Sequence, residues 1–514
     1  MYVILIGISL VILVLFLRSL YARKVQYKAL SGLPGPPSNY LWGNLFQFSK
    51  NIEDTFESLV QLNNHYGSIV VLWANPWKPL VVLSHPKFIE RVLSTNMHVS
   101  KTSLYEGMKP FLGQSLVTSD VDTWKRQRKL INPAFQPRIF ESFIPVFEFH
   151  GNKLINILKK KGENAIIDVP EFIDLYVLDT ICELMTNVRT NFQETSDNGY
   201  LEARSNYLTI FMNRAYSWLK RIDAYFSYTR EHQIQQKCVE VLKKFSQFLL
   251  DTRRESRKKQ QALGTDDELN KTVLDLFLDA GVPEHILRDH IDTFIVAGHD
   301  TPGSTIAFAL YELSRHPKLQ AKVLEESTQI LGRDPNTVIT VQDSQNMNYL
   351  ECVIKETLRH RTTIPAHERL LDEDITIDGI TLPKRTEVSI AIYATHHDEK
   401  YFPNPNTFDP DRFLPENADK IQPYTYLPFT KGPRDCIGKT MAMLLMKSII
   451  TKLRIGKGKK IVNPPLQPKL YDLYMPIFNY DSKKCIDMLE KEKEKCIIAL
   501  QHFVDLYILD TICD

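Results

Sequence analysis

The sequence predicts a mainly α-helical protein with one small β-rich region and an apolar helix near its first residue. Three observations carry this reading. From about residue 86 to 360, apolar residues recur at three- and four-residue spacing, the period of an amphipathic helix. Short β-branched runs cluster in two places, 69–83 and 375–392. No regular strand–helix–strand alternation joins them, so a doubly wound parallel sheet is not indicated.

The elements follow in chain order. Residues 3–17 are an uncharged run of fifteen, followed by Arg18, Arg23, Lys24 and Lys28. Spanning a bilayer takes about 20 apolar residues, and Leu20 to Ala22 extend the run. No basic segment precedes it and no small-residue cleavage site follows, which disfavours a cleaved signal peptide. The expectation is therefore a single N-terminal membrane anchor over 1–22, with the basic flank holding the downstream chain in the cytosol. Residues 23–40 form a basic hinge ending in Leu33-Pro34-Gly35-Pro36-Pro37, which is stiff and non-helical. A catalytic domain is expected over 41–480. Within it, 69–73 and 80–83 read as strands, and the polar segment 255–271 as an exposed loop or frayed helix end. Residues 401–435, dense in Pro, Asn and Asp, are irregular, and a last helix starts near Cys436 and runs to about Leu453.

Residues 481–514 form an atypical tail. The stretch 172–183 and the stretch 503–514 are identical at nine of twelve positions, and the tail reads as a duplicate of part of 158–183. Two distant copies do not make a solenoid.

Composition excludes several classes. The chain has 514 residues with 63 Lys+Arg against 61 Asp+Glu, a net charge of +2. That is no excess for neutralising a polyanion, so nucleic acid is not an expected partner. Seven scattered Cys without a CxxC pair fit neither a secreted disulfide framework nor a zinc finger. Phosphate loops, dinucleotide fingerprints, HExxH and GxSxG are absent from the sequence.

The chemistry gathers in Pro428-Phe429-Thr430-Lys431-Gly432-Pro433-Arg434-Asp435-Cys436-Ile437-Gly438. A Cys sits where irregular chain becomes helix, a place that favours an anion and lowers a thiol pKa. Gly432 and Gly438 permit close approach of a flat ligand, and Arg434 suits a carboxylate. A thiolate beside a flat face and a guanidinium suits an axial ligand of haem.

This spacing, F-x-x-G-x-R-x-C-x-G, resembles the signature of the cytochrome P450 family. Other segments agree in order. Glu356-Thr357-Leu358-Arg359 looks like the family's ExxR pair, which joins a later Arg, here Arg412 in Asp409-Pro410-Asp411-Arg412-Phe413. Trp124 and Arg128 share one helical face and resemble the family's WxxxR. Together with Arg369 they are expected to hold haem propionates. The segment 292–301 resembles the family's long helix over the haem, with Ala297 and Gly298 beside the cofactor and Asp300 and Thr301 as the proton-relaying pair. Pro302 follows directly, and a kink is expected where its missing N–H faces Gly298.

The resemblance covers about 33–455 and looks most like family 4, the fatty-acid hydroxylase-like microsomal branch. The family's C-terminal β hairpin, which lines the substrate pocket, is not recognisable after about 455 and has at most a remnant at 466–478. That branch commonly has Glu where this chain has Ala297, so haem is expected without an ester link. The resemblance implies haem b on Cys436, with Phe429, Gly432, Arg434 and Gly438 packed around it. It implies NADPH electrons arriving through a separate cytochrome reductase, possible help from a cytochrome b-type donor, and O2 insertion into a lipophilic substrate. Candidates are a fatty acid, a hormone-like lipid or a xenobiotic. It further implies an endoplasmic reticulum location with membrane lipid contact. Lys125, Arg126 and Lys129 are candidates for steering an acidic partner. Two alternatives stay open: a haem-binding pseudoenzyme with a damaged C-terminus, and a reductase-independent haem-thiolate isomerase.

Overall fold

The structure, a computed structural model, describes residues 2–39, 43–44, 61–73, 78–161, 169–195, 199–263, 271–334 and 337–455. The tail, the hairpin remnant and the proposed domain end at 480 lie outside these residues.

Helices dominate, as the spacing predicts. Those that build the body are α1 (Tyr2–Gln26), α2 (Pro86–Leu93), α3 (Val121–Ile131), α4 (Phe140–Lys160), α5 (Val169–Thr186) and α6 (Tyr200–Tyr216). They continue with α7 (Arg230–Ala262), α8 (Val273–Asp279), α9 (Glu284–Arg315), α10 (Pro317–Leu331), α11 (Asn348–His360) and α12 (Lys439–Ile455). The strands are β1 (Ile69–Leu72), β2 (Leu80–Leu83), β3 (His367–Leu370), β4 (Ile375–Ile377), β5 (Ile380–Leu382) and β6 (Glu387–Ile390).

Local chemistry sets the helix starts. Asp120 accepts from Thr123 N at 2.9 Å to cap α3, and Thr272 and Asp275 form a reciprocal capping box on α8. The 32 residues of α9 make a rod about 48 Å long at 1.5 Å per residue. It crosses the main core, packing against α5, α7, α11 and α12. Pro302 lies inside α9, yet the helix is continuous across it.

The two β-rich stretches come together in space. β1 and β2 pair antiparallel (Ile69 opposite Leu83), β2 and β6 pair parallel (Leu80 opposite Glu387), and β6 and β3 pair antiparallel (Ile390 opposite His367). β4 and β5 form a separate hairpin. An apolar cluster including Val81, Phe88, Ile89, Val388 and Leu427 seals the sheet against α2.

The polar segment 255–271, read as an exposed loop or frayed helix end, is helical to Ala262, and 264–270 lie outside the described residues. Its cations explain why: Arg253 makes two 2.8 Å bonds to Asp275, Arg254 reaches Glu284 at 2.7 Å, and Arg257 reaches Asp279 at 2.5 Å. These contacts lash the polar end of α7 to α8 and the start of α9.

One expectation is corrected here, the N-terminal membrane anchor. Among the described residues no helix is long and apolar enough to cross a membrane. The uncharged part of α1 ends at Leu17, and fifteen residues span only about 22 Å of a hydrocarbon core near 30 Å. Beyond it α1 carries Arg18, Arg23 and Lys24 and joins the body, where the Arg23 guanidinium lies 3.8 Å over the Trp73 ring. The transmembrane helix, the endoplasmic reticulum membrane location and the membrane-lipid partner inferred from that run are therefore withdrawn.

Candidate functional site

The Cys-bearing loop is a tight turn. Cys436 N donates to Phe429 O at 3.1 Å and Asp435 N to Gly432 O at 3.0 Å. Gly432 has φ +83°, and a Cβ there would lie 1.8 Å from the Leu93 carbonyl oxygen. This glycine lets the loop sit against the end of α2. At Gly438 an added Cβ would meet only ordinary contacts, 3.8 Å from Met441 and 4.0 Å from the Cys436 sulfur. Phe429 packs on the main core.

Cys436 is an exposed residue, yet burial pushes its thiol pKa up; the Gly438 N–H pulls it back and the Asp435 charge adds to the rise. The lowered pKa expected from a helix start is not what the surroundings produce, because α12 begins only at Lys439 and desolvation outweighs it.

On the other side stands α9. Residues 291–296 are buried, and then Ala297 is exposed. A helix inside a core exposes one residue where it borders a cavity. Thr301, one turn later, shares that face, and its hydroxyl donates to the Ala297 carbonyl at 2.8 Å. Gly298 faces elsewhere: a Cβ would come within 3.2 Å of Ile181 Cγ2 on α5. Its smallness serves helix–helix approach.

Asp300 is held by a buried ionic cluster. Its Oδ1 lies 2.8 Å from Arg204 Nη1 on α6 and 3.0 Å from His299 Nδ1. His299 Nε2 lies 2.8 Å from Asp174 Oδ1 on α5, and Arg204 Nη2 lies 3.3 Å from Asp174 Oδ2. Arg204 Nη1 also touches His299 Nδ1.

A second group of cations lies buried near the Cys loop. Arg434 is stacked 4.6 Å over the buried Trp124 and donates to Ser119 O at 3.1 Å. Its Nε and Nη1 are buried and meet no acceptor. Arg369 on β3 is buried and contacts His367 and the Glu368 carbonyl. Burial lowers both guanidinium pKa values to about 10, and the charge of Arg369 adds to the lowering of Arg434. Lys101, 4.0 Å over the Tyr105 ring, is held well below its usual range by burial and then by Arg369 and Arg434. Motif reading missed Lys101, which lies in no recognised motif. Buried like charges with unmet donors call for an anion between them.

Arg128 is placed differently from expectation. Nη1 donates to the Asp435 carbonyl at 3.0 Å and Nη2 to its carboxylate at 2.9 Å. The residue before the cysteine thus takes the guanidinium expected on a propionate. Lys125, Arg126 and Lys129 project from the exposed face of α3.

Glu356, Arg359 and Arg412 meet beneath this region. Glu356 and Arg359 are fully buried, with Arg359 Nε and Nη2 donating to the two Glu356 oxygens at 2.7 and 2.8 Å. Arg359 also donates to the carbonyls of His396 and Pro405, both at 2.8 Å. Asp409 N donates to Glu356 at 2.8 Å, and Arg412 Nε stands 3.6 Å from it. The cluster fastens the irregular 401–413 segment to α11; it lines no reactive group.

Comparisons with known proteins agree with this architecture. The family model described as Cytochrome P450 matches residues 33–453. Cytochrome P450 4c3 of Drosophila melanogaster is 31% identical over 471 residues, covering 87% of each chain. Cytochrome P450 4V2 of Homo sapiens is 32% identical over 463 residues, again 87% of each, and that of Mus musculus is 32% identical over 84% of each.

Proposed function

The chain belongs to the cytochrome P450 family, among relatives of its family 4, and is thus an oxidoreductase of the monooxygenase class; on that premise we propose that it binds haem b on the Cys436 sulfur and oxidises a lipophilic small molecule. The observation that carries this is the pairing of the exposed Cys436 thiol with the buried Arg434, whose Nε and Nη1 meet no acceptor, beside the buried cations Arg369 and Lys101. Haem, which takes a thiolate ligand and carries two carboxylates, would satisfy both at once. Cys436 would be the ligand; Arg434, Arg369, Lys101 and the Trp124 N–H would face the carboxylates. Phe429 and Ala297 would border the ring. When bound, haem supplies the activation of dioxygen that no side chain can perform.

The chain's own groups have distinct tasks. The turn closed by Cys436 N and Phe429 O orients the sulfur. The Arg128–Asp435 contacts tie that turn to α3. Apolar side chains of α5 and α9 exclude water from the cleft. Thr301 Oγ1 spends its hydrogen on the Ala297 carbonyl, so its oxygen lone pairs are left to accept a proton from a donor in the cleft. Asp300 is the acid that would recharge this position. The exposed Lys125, Arg126 and Lys129 give a cationic face for an acidic electron-donating reductase.

The test is the reduced carbon monoxide difference spectrum of the purified chain. The expected result is a long-wavelength thiolate band that Cys436→Ser abolishes. A wild-type protein that takes up no haem would overturn the reading. Turnover of lauric acid with reductase and NADPH then tests the substrate class.

A further inference from the structure

Asp300 cannot act as an isolated acid in this chain, since its Oδ1 is shared between Arg204 and His299. We infer that His299 is the proton donor that recharges Asp300, fed in turn through Asp174 on the neighbouring helix α5. This rests on the monooxygenase reading above, because it names the source of that site's protons.

Geometry makes the case. The imidazole is fully buried and is bracketed by two carboxylates, Nε2 at 2.8 Å from Asp174 and Nδ1 at 3.0 Å from Asp300. Imidazole is the side chain that can take a proton at one nitrogen and give one up at the other near neutral pH. Arg204 touches the same carboxylates but never releases a proton. Its charge and that of a protonated His299 lie against the same two carboxylates. Burial and Arg204 oppose the imidazolium, yet Asp174 and Asp300 hold the imidazole pKa above its ordinary value. Exposure gives the direction of flow. Asp174 is the most accessible member at 16% of its side chain, against 11% for Asp300, 3% for Arg204 and none for His299.

The transfer balances simply. The Nδ1–H bond of the imidazolium breaks and an Oδ1–H bond forms on Asp300, leaving a neutral ring hydrogen-bonded to Asp174 through Nε2–H. Arg204 Nη1, already against Nδ1, donates to the bared nitrogen and stabilises this state. A turn of the ring presents that nitrogen to Asp174, where a solvent-derived proton restores the imidazolium.

The test uses the full-length haem protein with reductase and NADPH. His299→Gln keeps a polar group of similar size but cannot shuttle. Dioxygen consumption should fall about tenfold, below the 10²–10⁴-fold range of direct acid–base groups because Asp300 remains. The solvent deuterium isotope effect should rise, and Asp174→Asn should reproduce both changes. Hydrogen peroxide brings its own protons, so peroxide-driven dye oxidation should stay within about twofold of wild type, as it bypasses the acid–base step. A parallel fall in both rates would make the cluster merely structural and overturn the proposal, as would unchanged dioxygen kinetics. Independently of turnover, ¹⁵N resonances of the His299 ring in the diamagnetic carbon monoxide form should show both nitrogens protonated at pH 7; a neutral ring would overturn it. Absence of the thiolate band in wild type sinks the monooxygenase reading instead, while the ring's protonation is still read in the ligand-free protein.

Discussion

Replacing Glu356 with Ala removes an anion that is entirely shielded from water. Glu356 accepts three hydrogen bonds of 2.7 to 2.8 Å, two from Arg359 and one from Asp409 N. Without it, Arg359 Nη1 and Nη2 keep carbonyl partners, but Nε has none and the buried positive charge is uncompensated. Breaking a buried ion pair from one side costs about 3–5 kcal/mol. Against a total stability of about 5–15 kcal/mol, that is enough to unfold a marginal chain. Arg412→Ala is the internal control. Its Nε stands 3.6 Å from Glu356, and Glu356 keeps its three shorter bonds without it, so a smaller loss of about 1 kcal/mol is expected. Urea unfolding of the full chain, followed by circular dichroism, measures both. A Glu356→Ala midpoint within about 1 kcal/mol of wild type would refute the reasoning, since burial would then not set the strength of the pair.

Four further outcomes are expected. Gly298→Ala should lose about 1–3 kcal/mol by driving a Cβ to 3.2 Å from Ile181, and Ile181→Val should recover part of it; additive losses would exclude that contact as the cause. His290→Phe should raise the melting temperature, because both ring nitrogens are buried without partners while the ring stacks 4.3 Å from Phe277; a lowered Tm would show that the nitrogens are used. Burial raises Asp292 to about 7 against the pull of Lys243. The folded chain thus holds this proton more tightly than the unfolded one, so its contribution is full near pH 4 and is lost as pH rises through about 7. Asp292→Asn should accordingly gain on wild type between pH 5 and pH 8, and a gain in the opposite direction in urea titrations would contradict the assignment. Finally, acidified ketone should extract all haem, since Ala297 has no carboxyl for an ester; pigment retained on the protein would refute this.

What the sequence made legible was local. The Cys436 turn and the i,i+3 pair Glu356–Arg359 need only a few neighbouring residues to declare their geometry. The β-branched runs at 69–83 and 375–392 were visible as strands, but their union through the β2–β6 pairing was not. Contacts across long separations left no trace in any single segment. Arg204 meets His299 from 95 residues away, and His299 reaches the Asp174 backbone from 125. Lys101 likewise becomes meaningful only beside Arg369 and Arg434. The partner that Arg128 has in the fold was not legible either: the Asp435 carboxylate comes within 2.9 Å of its guanidinium from 307 residues away. The apolar N-terminal run misled through its flanks, because residues counted as extending it bring Arg18 into the same helix.

The bonds from Arg128 to Asp435 and from Arg434 to Ser119 join parts of the chain 307 and 315 residues apart. A ribosome releases α3 long before it makes the cysteine loop. At roughly 5–20 residues per second, those two halves wait many seconds for each other. During that interval Trp124 lacks the guanidinium that covers its face, and Cys436 is not yet made. On the proposed reading, haem capture through that cysteine would come late in the synthesis of each molecule. A chain interrupted between residues 361 and 435 would carry the helical scaffold through α11 and still lack the cysteine proposed to hold haem.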